Sequence, residues 1–501
     1  MEGTAADADV IIVGAGPTGL MLAGELRLGG ASVIVTERLA QPTGQSRGLG
    51  FTARAMEVFD QRGLLPRFGQ GETLEISPLG HFGGVQFDYT VLPGAHFGAR
   101  GIPQNQTEAV LEDWARELGV DIRRGWDFLD LSDGYLDGDG VEITVSTPDG
   151  VQQLRAAYLV GADGGQSSVR KAAGFDFPGT AATRAMFLAD VTGCALRPRF
   201  LGERQPNGMV MAAPLAEGVD RIIVCPDGTP ARGRDAEPVT FAEVAAAWQH
   251  ITGEDISGGG AEWVSYFTDA ARQATEYRRG RVLLVGDAAH IHLPAGGQGL
   301  STGVQDAVNL GWKLAAVVTG TAPDGLLDTY HGERHPVGQR LLMNTSAQGT
   351  VFLGGAEADP LRALFSELIA HDEVKRHLAG IVSGLDIAYD FGEGGHPLQG
   401  LRLADRALVT ADGEETGTTR LLHPGRGVLL DLADSPALRA AAAGWGHRVD
   451  VTTATAKPLD GADPLHGTAA LLVRPDGHVA WAGDSIEELT DALRRWFGDA
   501  R

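Results

Sequence analysis

Near its start the chain contains GAGPTG, whose residue types and spacing are suited to binding a dinucleotide. In this GxGxxG pattern, Gly14 makes a tight turn, Gly16 lets the backbone approach a pyrophosphate, and Gly19 lets a helix pack closely on a strand. Pro17 and Thr18 suit the first turn of that helix, whose N-terminus attracts phosphate. The pattern by itself fits both FAD and NAD.

Two strands and a helix must position this glycine segment. The apolar run Asp9–Val13 predicts a buried parallel strand, and Thr18–Leu28 keeps apolar residues at helical spacing. A second strand is predicted over Ala31–Thr36. It ends at Glu37, which can accept hydrogen bonds from a ribose, and Arg38 follows at the same edge. The complete strand–helix–acid context argues against a purely structural turn.

A second glycine cluster, VGDAAHIHLPAGGQGLST, covers Val285–Thr302. Arg281–Val285 predicts a strand, and Asp287 just beyond it can hold a ribitol or ribose hydroxyl, because ligands of open α/β sheets bind beyond strand ends. A helix is predicted over Leu300–Leu314, and its first N–H groups can face the pyrimidine edge of a flavin. The two clusters therefore suit two ends of one extended cofactor. The predicted contacts of this cluster are Asp287, Pro294, Gly297, Gly299, Leu300 and Ser301.

Two of these segments resemble motifs of the class A flavoprotein monooxygenases. GDAAHIHLPAGGQGLSTGVQDAVNLGWKL resembles the second FAD motif of that family, and LVGADGGQSSVRKAAG at Leu159–Gly174 resembles its central Asp-Gly motif. Asp163, Gly164 and Arg170 stand at the functional positions of the central motif. The resemblance implies that they lie near the FAD pyrophosphate and the path of the nicotinamide cofactor.

More of the chain is similar to the bacterial aromatic polyketide hydroxylases, and to the angucycline hydroxylases in particular. The similar segments are GELRLGGASVIVTERL, SRGLGFTARAMEVFDQRGLLPRF, RKAAGFDFPGTAAT and LLVRPDGHVAWAG. The resemblance implies that Arg47 approaches the flavin and that Gln104 contacts FAD, although Arg47 alone would be taken for a surface arginine. The chain departs from the family at Leu300-Ser301, where Met-Asn is frequent, but Ser301 can still donate a hydrogen bond.

The resemblance implies a chemistry in which the cofactor does the work. NADPH or NADH would reduce FAD, and O₂ would add to the reduced ring as a C4a-hydroperoxide that hydroxylates a polycyclic aromatic polyketide. No catalytic side chain is assigned, and Arg47 and Pro294 are the candidate helpers beside the flavin. Three alternatives remain: Baeyer–Villiger oxygenation of a related polyketide, inactivation of an antibiotic, and a non-catalytic flavoprotein that binds a polyketide intermediate.

We predict an α/β protein with a discontinuous Rossmann-like FAD-binding domain, an inserted α+β substrate domain and a thioredoxin-like C-terminal domain. The last assignment rests on the same resemblance. Because the C-terminal domain has no cysteine, thiol–disulfide chemistry is excluded there, and a structural or dimerising role is expected. The chain is expected to be a monomer or a homodimer. The predicted boundaries are 1–70, 101–175 and 266–390 for FAD binding, 71–100 and 176–265 for the substrate, and 398–501 for the C-terminal domain.

A large and mainly apolar pocket is expected for a tetracyclic substrate. The strand-like runs AMFLADVTGC, GMVMAAPL and DRIIVCPDG suit a sheet that walls such a pocket. For each candidate lining residue the alternative is ordinary core packing. The candidates are Phe82, Phe87, Phe97, Met209, Met211 and Trp263.

Composition excludes several other functions. The 501 residues suffice for two or three domains, and the formal net charge of −24 disfavours nucleic acid and anionic lipid as partners. No apolar run approaches the length of a membrane span, and the acidic start shows no targeting signal, so a cytoplasmic location is expected. Cys194 and Cys225 are too few for a disulfide framework and are expected to be core residues.

One histidine pair could suggest a metal site or a general base. His290 and His292 would lie on one side of an extended segment, but their spacing matches no standard metal site. The family resemblance instead implies that His290 belongs to a structural turn beside FAD. No metal is therefore predicted.

Overall fold

A computed structural model describes residues 6–69, 79–92, 98–233, 237–392, 395–459 and 463–501. Its largest sheet has eight strands, which are β1 (Ala8–Val13), β2 (Val33–Glu37), β5 (Asp121–Arg124), β6 (Asp127–Leu131), β7 (Val141–Thr147), β8 (Gly150–Gly161), β16 (Arg278–Arg279) and β17 (Val282–Leu284). Six of them follow the order β16-β17-β8-β1-β2-β5, while β7 pairs with β8 and β6 pairs with β7.

The centre of this sheet is parallel, and its register aligns the strand ends. Val13 pairs with Thr36 on one side and with Gly161 on the other, and Gly161 also pairs with Leu284. The carboxyl ends of β1, β2, β8 and β17 therefore meet at one edge, where open α/β sheets bind ligands.

Eleven helices are present in the described part of the chain. They are α1 (Pro17–Leu28), α2 (Ala53–Asp60), α3 (Gln104–Glu117), α4 (Ser168–Ala172), α5 (Phe241–Thr252), α6 (Gln298–Val318), α7 (Thr329–Leu353), α8 (Asp359–Ile369), α9 (Asp372–Ser383), α10 (Pro436–Ala442) and α11 (Ile486–Phe497). The predicted helix over Leu300–Leu314 is thus longer at both ends, and the predicted strand over Arg281–Val285 is shorter.

Helices α1 and α6 pack with their backbones in close approach. A Cβ added at Gly303 would lie 2.3 Å from Thr18 Oγ1, and one added at Gly311 would lie 2.3 Å from Glu25 Cβ. Only glycine fits these two positions on α6. The contact brings the helix of the first glycine cluster directly against the helix of the second.

A second sheet covers the loop that precedes α6. Its strands are β10 (Ala185–Thr192), β11 (Arg199–Gln205), β12 (Gly208–Ala216), β13 (Val219–Pro226) and β14 (Gly260–Thr268), in the antiparallel order β11-β12-β13-β10-β14. Helix α5 packs on one face through Val244 and Trp248. The other face carries Met209 in an apolar cluster with Leu293 and Leu353.

Two smaller groups of strands complete this part. The hairpin β3 (Leu79–Phe82) and β4 (Val85–Asp88) packs on α8 and α9, with Phe82 stacked on Phe365 at 5.2 Å between ring centroids. The short strands β9 (Gly179–Thr180), β15 (Ala271–Gln273) and β18 (His290–Ile291) form a three-stranded sheet.

The C-terminal part is built on a six-stranded sheet. Its strands are β19 (Ala407–Thr410), β20 (Glu415–Gly417), β21 (Gly427–Asp431), β22 (Val449–Ala456), β23 (Ala470–Val473) and β24 (Val479–Gly483). Strand β21 runs parallel to β22 and antiparallel to β23, and β24 is antiparallel to β23. The order β21-α10-β22 followed by β23-β24-α11 agrees with the predicted thioredoxin-like arrangement.

The turn Arg474–His478, which joins β23 to β24, inserts between the C-terminal sheet and the helices α2, α6 and α7. We call it the C-terminal joint. Arg474 is fully buried and makes a bidentate salt bridge with Glu333 of α7, with both N–O distances at 2.8 Å, and a second salt bridge with Asp476. Its guanidinium also lies 4.5 Å from the ring centroid of Trp496.

Charged side chains on the helices, together with Arg62 just after α2, complete the joint. Lys313 Nζ on α6 donates to Glu333 at 2.8 Å, and Arg54 of α2 donates to the Asp476 carbonyl at 2.8 Å. Arg62 donates to the Pro475 carbonyl at 2.8 Å.

In the described residues no helix is long and apolar enough to cross a bilayer.

Candidate cofactor-binding site

The crevice at the carboxyl edge of the large sheet brings together three turns that are distant in sequence. Ala162 N donates to the Val13 carbonyl at 2.8 Å, and Val285 N donates to the Gly161 carbonyl at 3.0 Å. The turns after β1, β8 and β17 are therefore immediate neighbours. All three sequence motifs contribute to this one crevice.

The first turn has open space beside Gly16, the residue at which the pattern predicts a pyrophosphate contact. Gly14 has φ +109°, and a Cβ there would lie 2.5 Å from the Ala162 carbonyl oxygen, while a Cβ at Gly19 would lie 2.1 Å from Gly14 O. In contrast, a Cβ at Gly16 would have no neighbour within 4 Å. Helix α1 starts at Pro17 and has no side-chain cap, so its first N–H groups are open to an anion.

Glu37 is held at the end of β2 by the backbone of both adjoining turns. Its Oε2 accepts from Ala15 N and its Oε1 accepts from Leu39 N, each at 3.0 Å. A carboxylate fixed beside the first glycine turn fits the predicted ribose contact. Arg38 is exposed at the same edge.

Asp163 and Arg170 brace the central motif. Asp163 accepts from Ser167 Oγ at 2.5 Å and from Ser168 N at 2.6 Å, and burial raises the pKa of its carboxyl. Arg170 is buried and donates to the carbonyls of Ala288 and Gly165, each at 2.9 Å. Arg170 therefore ties the central motif to the Gly286 turn. Gly164 (φ +75°) has open space around it.

Arg47 and Asp287 both face solvent in the crevice. Although Asp287 is exposed, the protein atoms around it displace part of its hydration and raise the pKa of its carboxyl, while the charges of His290 and Arg47 act in the opposite direction. Gln104, the first residue of α3, accepts from Gly48 N through Oε1 at 3.2 Å. It therefore positions the segment that carries Arg47, and its predicted contact with FAD stays a prediction.

The loop before α6 turns through two consecutive glycines with positive φ. Gly296 (φ +70°) and Gly297 (φ +65°) are left-handed, and Pro294 and Gly297 are exposed. A Cβ at Gly299 would lie 3.2 Å from His292 Nε2. Burial lowers the pKa of His292 to about 4, so a neutral ring is left to donate through Nδ1 to the Leu293 carbonyl at 2.7 Å.

The two residues that depart from the family pattern face the segment that leads into α2. Ser301 Oγ accepts from Thr52 N at 2.9 Å, and Leu300 packs over Gly48. The Ser301 side chain is thus engaged within the protein, and its donation to a flavin stays a prediction. The N-terminus of α6 remains free of any side-chain cap.

Sequence reasoning missed Asp306, which fixes the Gly286 turn to α6. Asp306 Oδ2 accepts from His290 Nε2 at 2.8 Å and from Gly286 N at 3.2 Å, and its Oδ1 accepts from Arg334 Nε at 2.7 Å. Burial alone would raise the pKa of Asp306, but the charges of Arg334 and His290 lower it. A lone acid amid the apolar positions of the predicted helix was the available signal.

The structure gives the predicted pocket residues different surroundings. Phe82 and Phe87 are buried in the packing of the hairpin on α8 and α9, and Met209 is buried against the loop before α6. Met211 and Trp263 are half-buried, and Trp263 lies 5.3 Å below the Arg221 guanidinium. Phe97 lies outside the described residues. A role in substrate binding stays a prediction for all six candidates, which are Phe82, Phe87, Phe97, Met209, Met211 and Trp263.

A cavity of about 230 Å³ lies behind the first turn of α6. Its wall combines α6, α7 and the segment that follows α9, with Gln298, Ser301, Asn344 and Tyr389 among the lining residues. None of the predicted pocket residues lines it. Among the described residues, no cluster of three or more His, Cys, Asp or Glu side chains is arranged to hold a metal ion.

A Rossmann-like crevice with an open Gly16, an uncapped α1 and a second glycine loop fits an extended dinucleotide such as FAD and defines a flavin-binding α/β protein. Residues 7–345 match the family model described as FAD binding domain. Residues 396–500 match the model described as aromatic-ring hydroxylase, C-terminal. The chain belongs to the FAD-dependent aromatic-ring hydroxylases and is an FAD-dependent aromatic monooxygenase.

Full-length relatives support this assignment. The chain is 44% identical over 507 residues to 12-dehydrotetracycline 5-monooxygenase/anhydrotetracycline 6-monooxygenase of Streptomyces rimosus, covering 98% of this chain and 99% of the relative. It is 44% identical over 500 residues to a rifampicin monooxygenase of Streptomyces venezuelae, covering 98% and 99%. The crystal structure of CabE, an aromatic hydroxylase from angucycline biosynthesis, matches with a TM-score of 0.93 and 60% identity, covering 99% of this chain and all of CabE.

Proposed function

We propose that the protein hydroxylates a polycyclic aromatic polyketide of the angucyclinone type, using FAD, O₂ and NADPH or NADH. The observation that carries the proposal is the 60% identity to an angucycline-pathway aromatic hydroxylase over 99% of the chain. The convergence of the three motifs at one sheet edge supports it. A cytoplasmic location, where reduced nicotinamide cofactors are available, belongs to the same proposal.

The residues at the sheet edge divide the work of holding the cofactor. Gly16 and the N-terminus of α1 would bind the pyrophosphate, and Glu37 and Asp287 would accept hydrogen bonds from the ribose and ribitol hydroxyls. When bound, FAD supplies the redox chemistry that activates O₂. Arg47 could approach it, because its side chain is exposed.

The chain's own contribution to the reaction is charge stabilisation and exclusion of water. The uncapped N–H groups of α6 would stabilise negative charge on a bound flavin, because the helix N-terminus carries partial positive charge. The apolar cluster of Met186, Met209, Leu293 and Leu353 covers the loop before α6. Such a cover limits the access of water to the reacting atoms.

The three-domain division and the oligomeric state are part of the proposal. An FAD-binding unit is supported by the family match over residues 7–345, and a separate C-terminal unit by the match over residues 396–500. We assign the five-stranded sheet to substrate binding, because its apolar face meets the loop before α6. We propose a monomer or homodimer.

The test is turnover of the purified, FAD-loaded protein with NADPH, air and an angucyclinone. We expect one hydroxyl at a defined carbon of an intact skeleton, identified by NMR. Baeyer–Villiger oxygenation would give a product of the same mass with an enlarged ring, so the carbon connectivity decides between them. A flavin that NADPH cannot reduce even with the ligand bound would refute the enzymatic proposal and favour a binding protein.

A second candidate is oxidative inactivation of an antibiotic. It is favoured by the rifampicin monooxygenase, which is as similar to this chain as the tetracycline enzyme is. The same assay with rifampicin in place of the angucyclinone tests it. Faster turnover of rifampicin, with loss of its antibacterial activity, would replace the biosynthetic proposal.

A further inference from the structure

Three buried side-chain amides connect the loop before α6 to the turn of the β3–β4 hairpin. Gly83 N donates to Gln348 Oε1 at 3.3 Å, and Gln348 Nε2 donates to Asn344 Oδ1 at 3.1 Å. Asn344 Nδ2 then donates to Gln298 Oε1 at 2.9 Å, and Gln298 Nε2 donates to the Ala295 carbonyl at 3.2 Å. All three amide side chains are buried.

The direction of this chain of hydrogen bonds is fixed by its two ends. The N–H of Gly83 can only donate, and the carbonyl of Ala295 can only accept. Each amide between them has one acceptor oxygen and one donor nitrogen. If one amide were turned round, two oxygens or two N–H groups would face each other, so only one arrangement satisfies every group.

The amides also pack directly against the backbone of the loop. A Cβ added at Gly296 would lie 3.1 Å from Gln298 Nε2 and 3.5 Å from Gln348 Oε1, and Gly296 has φ +70°. The loop therefore contacts the amides through its backbone. Its opposite side presents Pro294 and Gly297 to solvent in the crevice.

We propose that Gln298, Asn344 and Gln348 are positioning residues that hold the Pro294–Gly297 loop at a fixed distance from the β3–β4 hairpin and thereby keep cofactor oxidation coupled to hydroxylation. This inference rests on the proposed function. In an uncoupled turnover NADPH, O₂ and one proton give NADP⁺ and H₂O₂, with no oxygen transferred. A loop displaced by a fraction of an ångström loosens the water-excluding site and favours this outcome.

The primary test replaces Asn344 with aspartate. Asn344→Asp keeps the acceptor for Gln348 and removes the donor for Gln298, with almost no change in shape. Gln339→Glu is the matched control, because it makes the same amide-to-carboxylate change at an exposed position of the same helix. We expect Asn344→Asp to raise the H₂O₂ formed per NADPH about threefold to tenfold. The control should match the parent protein.

A second readout does not depend on activity. Hydrogen exchange of the peptide covering 293–300 is measured by mass spectrometry in the protein without FAD. We expect about tenfold faster exchange in Asn344→Asp than in Gln339→Glu. The Gln298 amide should turn its Nε2 toward the new carboxylate and so stop donating to the Ala295 carbonyl. Exchange in the β-strands of the C-terminal sheet should be the same in both variants.

The pH dependence distinguishes the loss of the hydrogen-bond donor at position 344 from a general loss of packing in Asn344→Asp. Burial raises the pKa of the introduced carboxyl, and its protonated form has an O–H that can donate to Gln298 again. Coupling in Asn344→Asp should therefore recover as the pH is lowered, while the parent protein shows no such recovery. Gln348→Met is the second variant, with a side chain of similar shape and no charge. It should fold even if the buried carboxylate prevents Asn344→Asp from folding, and it should also raise H₂O₂ formation.

The inference is overturned if Asn344→Asp and Gln348→Met both fold and show the coupling and the loop exchange of the control. Uncoupling that does not recover at low pH in Asn344→Asp would likewise contradict the donor role. If the parent protein fails to oxidise NADPH with any aromatic polyketide, the proposed function fails. The exchange of residues 293–300 then still tests the amide chain by itself.

Discussion

The cofactor crevice leaves backbone donors open, whereas the C-terminal joint pairs its buried charges with one another. In the crevice Gly16 faces empty space and α1 starts without a side-chain cap. In the joint Arg474 and Glu333 are buried, and their charges are compensated by Asp476 and Lys313. Backbone N–H groups without a protein partner are tolerated where a ligand supplies the acceptor. Ionised side chains that stay buried need counter-charges within the protein.

The largest expected effect concerns the joint. Arg474→Met should lower the free energy of unfolding by about 3–5 kcal/mol, because it leaves Glu333 and Asp476 buried without their main counter-charge. Thermal melts and urea unfolding measure it. Arg474→Met combined with Glu333→Gln should recover part of the loss. A loss below about 1 kcal/mol in the single variant would show that the joint does not hold the two parts together.

The second effect concerns the crevice, where a substitution should weaken cofactor binding and leave stability unchanged. Gly16→Val should leave the melting of the FAD-free protein nearly unchanged, since nothing lies within 4 Å of the added Cβ. It should weaken FAD binding about 100-fold or more, equivalent to about 2.7 kcal/mol, because the side chain fills the pyrophosphate space. Flavin fluorescence titration measures the affinity.

Gly14→Ala is the companion variant. Its Cβ would meet the Ala162 carbonyl at 2.5 Å in a backbone conformation with φ +109°, so it should destabilise the FAD-free protein as well. Equal loss of stability in Gly14→Ala and Gly16→Val would contradict the distinction between a packed and an open glycine.

A third effect is the response to acid. Burial alone would raise the pKa of Glu333, but Arg474 and Lys313 lower it to about 2 from an ordinary 4.5. The folded state therefore holds this proton less tightly than the unfolded chain. The corresponding stability is present above about pH 4.5 and is lost as the pH falls toward 2.

Asp163 in the crevice acts with the opposite sign. Burial raises its pKa in the folded state, so its contribution declines as the pH rises above 3.8. Urea unfolding between pH 3 and 6 tests both residues. The doubly substituted Arg474→Met, Glu333→Gln protein should lose stability less steeply on acidification, and Asp163→Asn should lose it more steeply. Identical pH slopes in all three proteins would contradict these assignments.

The smallest effect is expected for an exposed ion pair. Arg67 and Glu117 make a bidentate contact at 2.9 and 2.7 Å, but both side chains are well exposed. Glu117→Gln should cause no shift that a thermal melt resolves, because water and salt screen such pairs. A clear destabilisation would show that short distances alone, rather than burial, set the strength of the ion pairs in this chain.

The parts of the site that were predictable are those encoded in contiguous residues. Gly14, Gly16 and Gly19 specify a turn and a helix start by themselves, and the structure places them as the pattern requires. The motif around Asp287 is equally local. Parallel pairing of β1, β8 and β17 then brings the motifs together without further information.

The unpredicted parts depend on contacts between distant segments. Asp306 meets Arg334 and His290 only after α6, α7 and the β18 segment have packed, so its place on the predicted helix does not reveal these partners. The insertion of the turn at Arg474 against α6 and α7 likewise depends on tertiary packing, which no local pattern shows. The same holds for Phe82, whose partner Phe365 lies far along the chain.

The C-terminal joint also limits how this protein can exchange parts with its relatives. Arg474 and Asp476 come from the C-terminal unit, whereas Glu333 and Lys313 come from the FAD-binding unit. If recombination replaces residues 396–501 alone, the incoming arginine at position 474 meets whichever residue the recipient protein carries at position 333. We therefore expect such an exchange to destabilise the protein unless the residues on both sides of the joint are exchanged together.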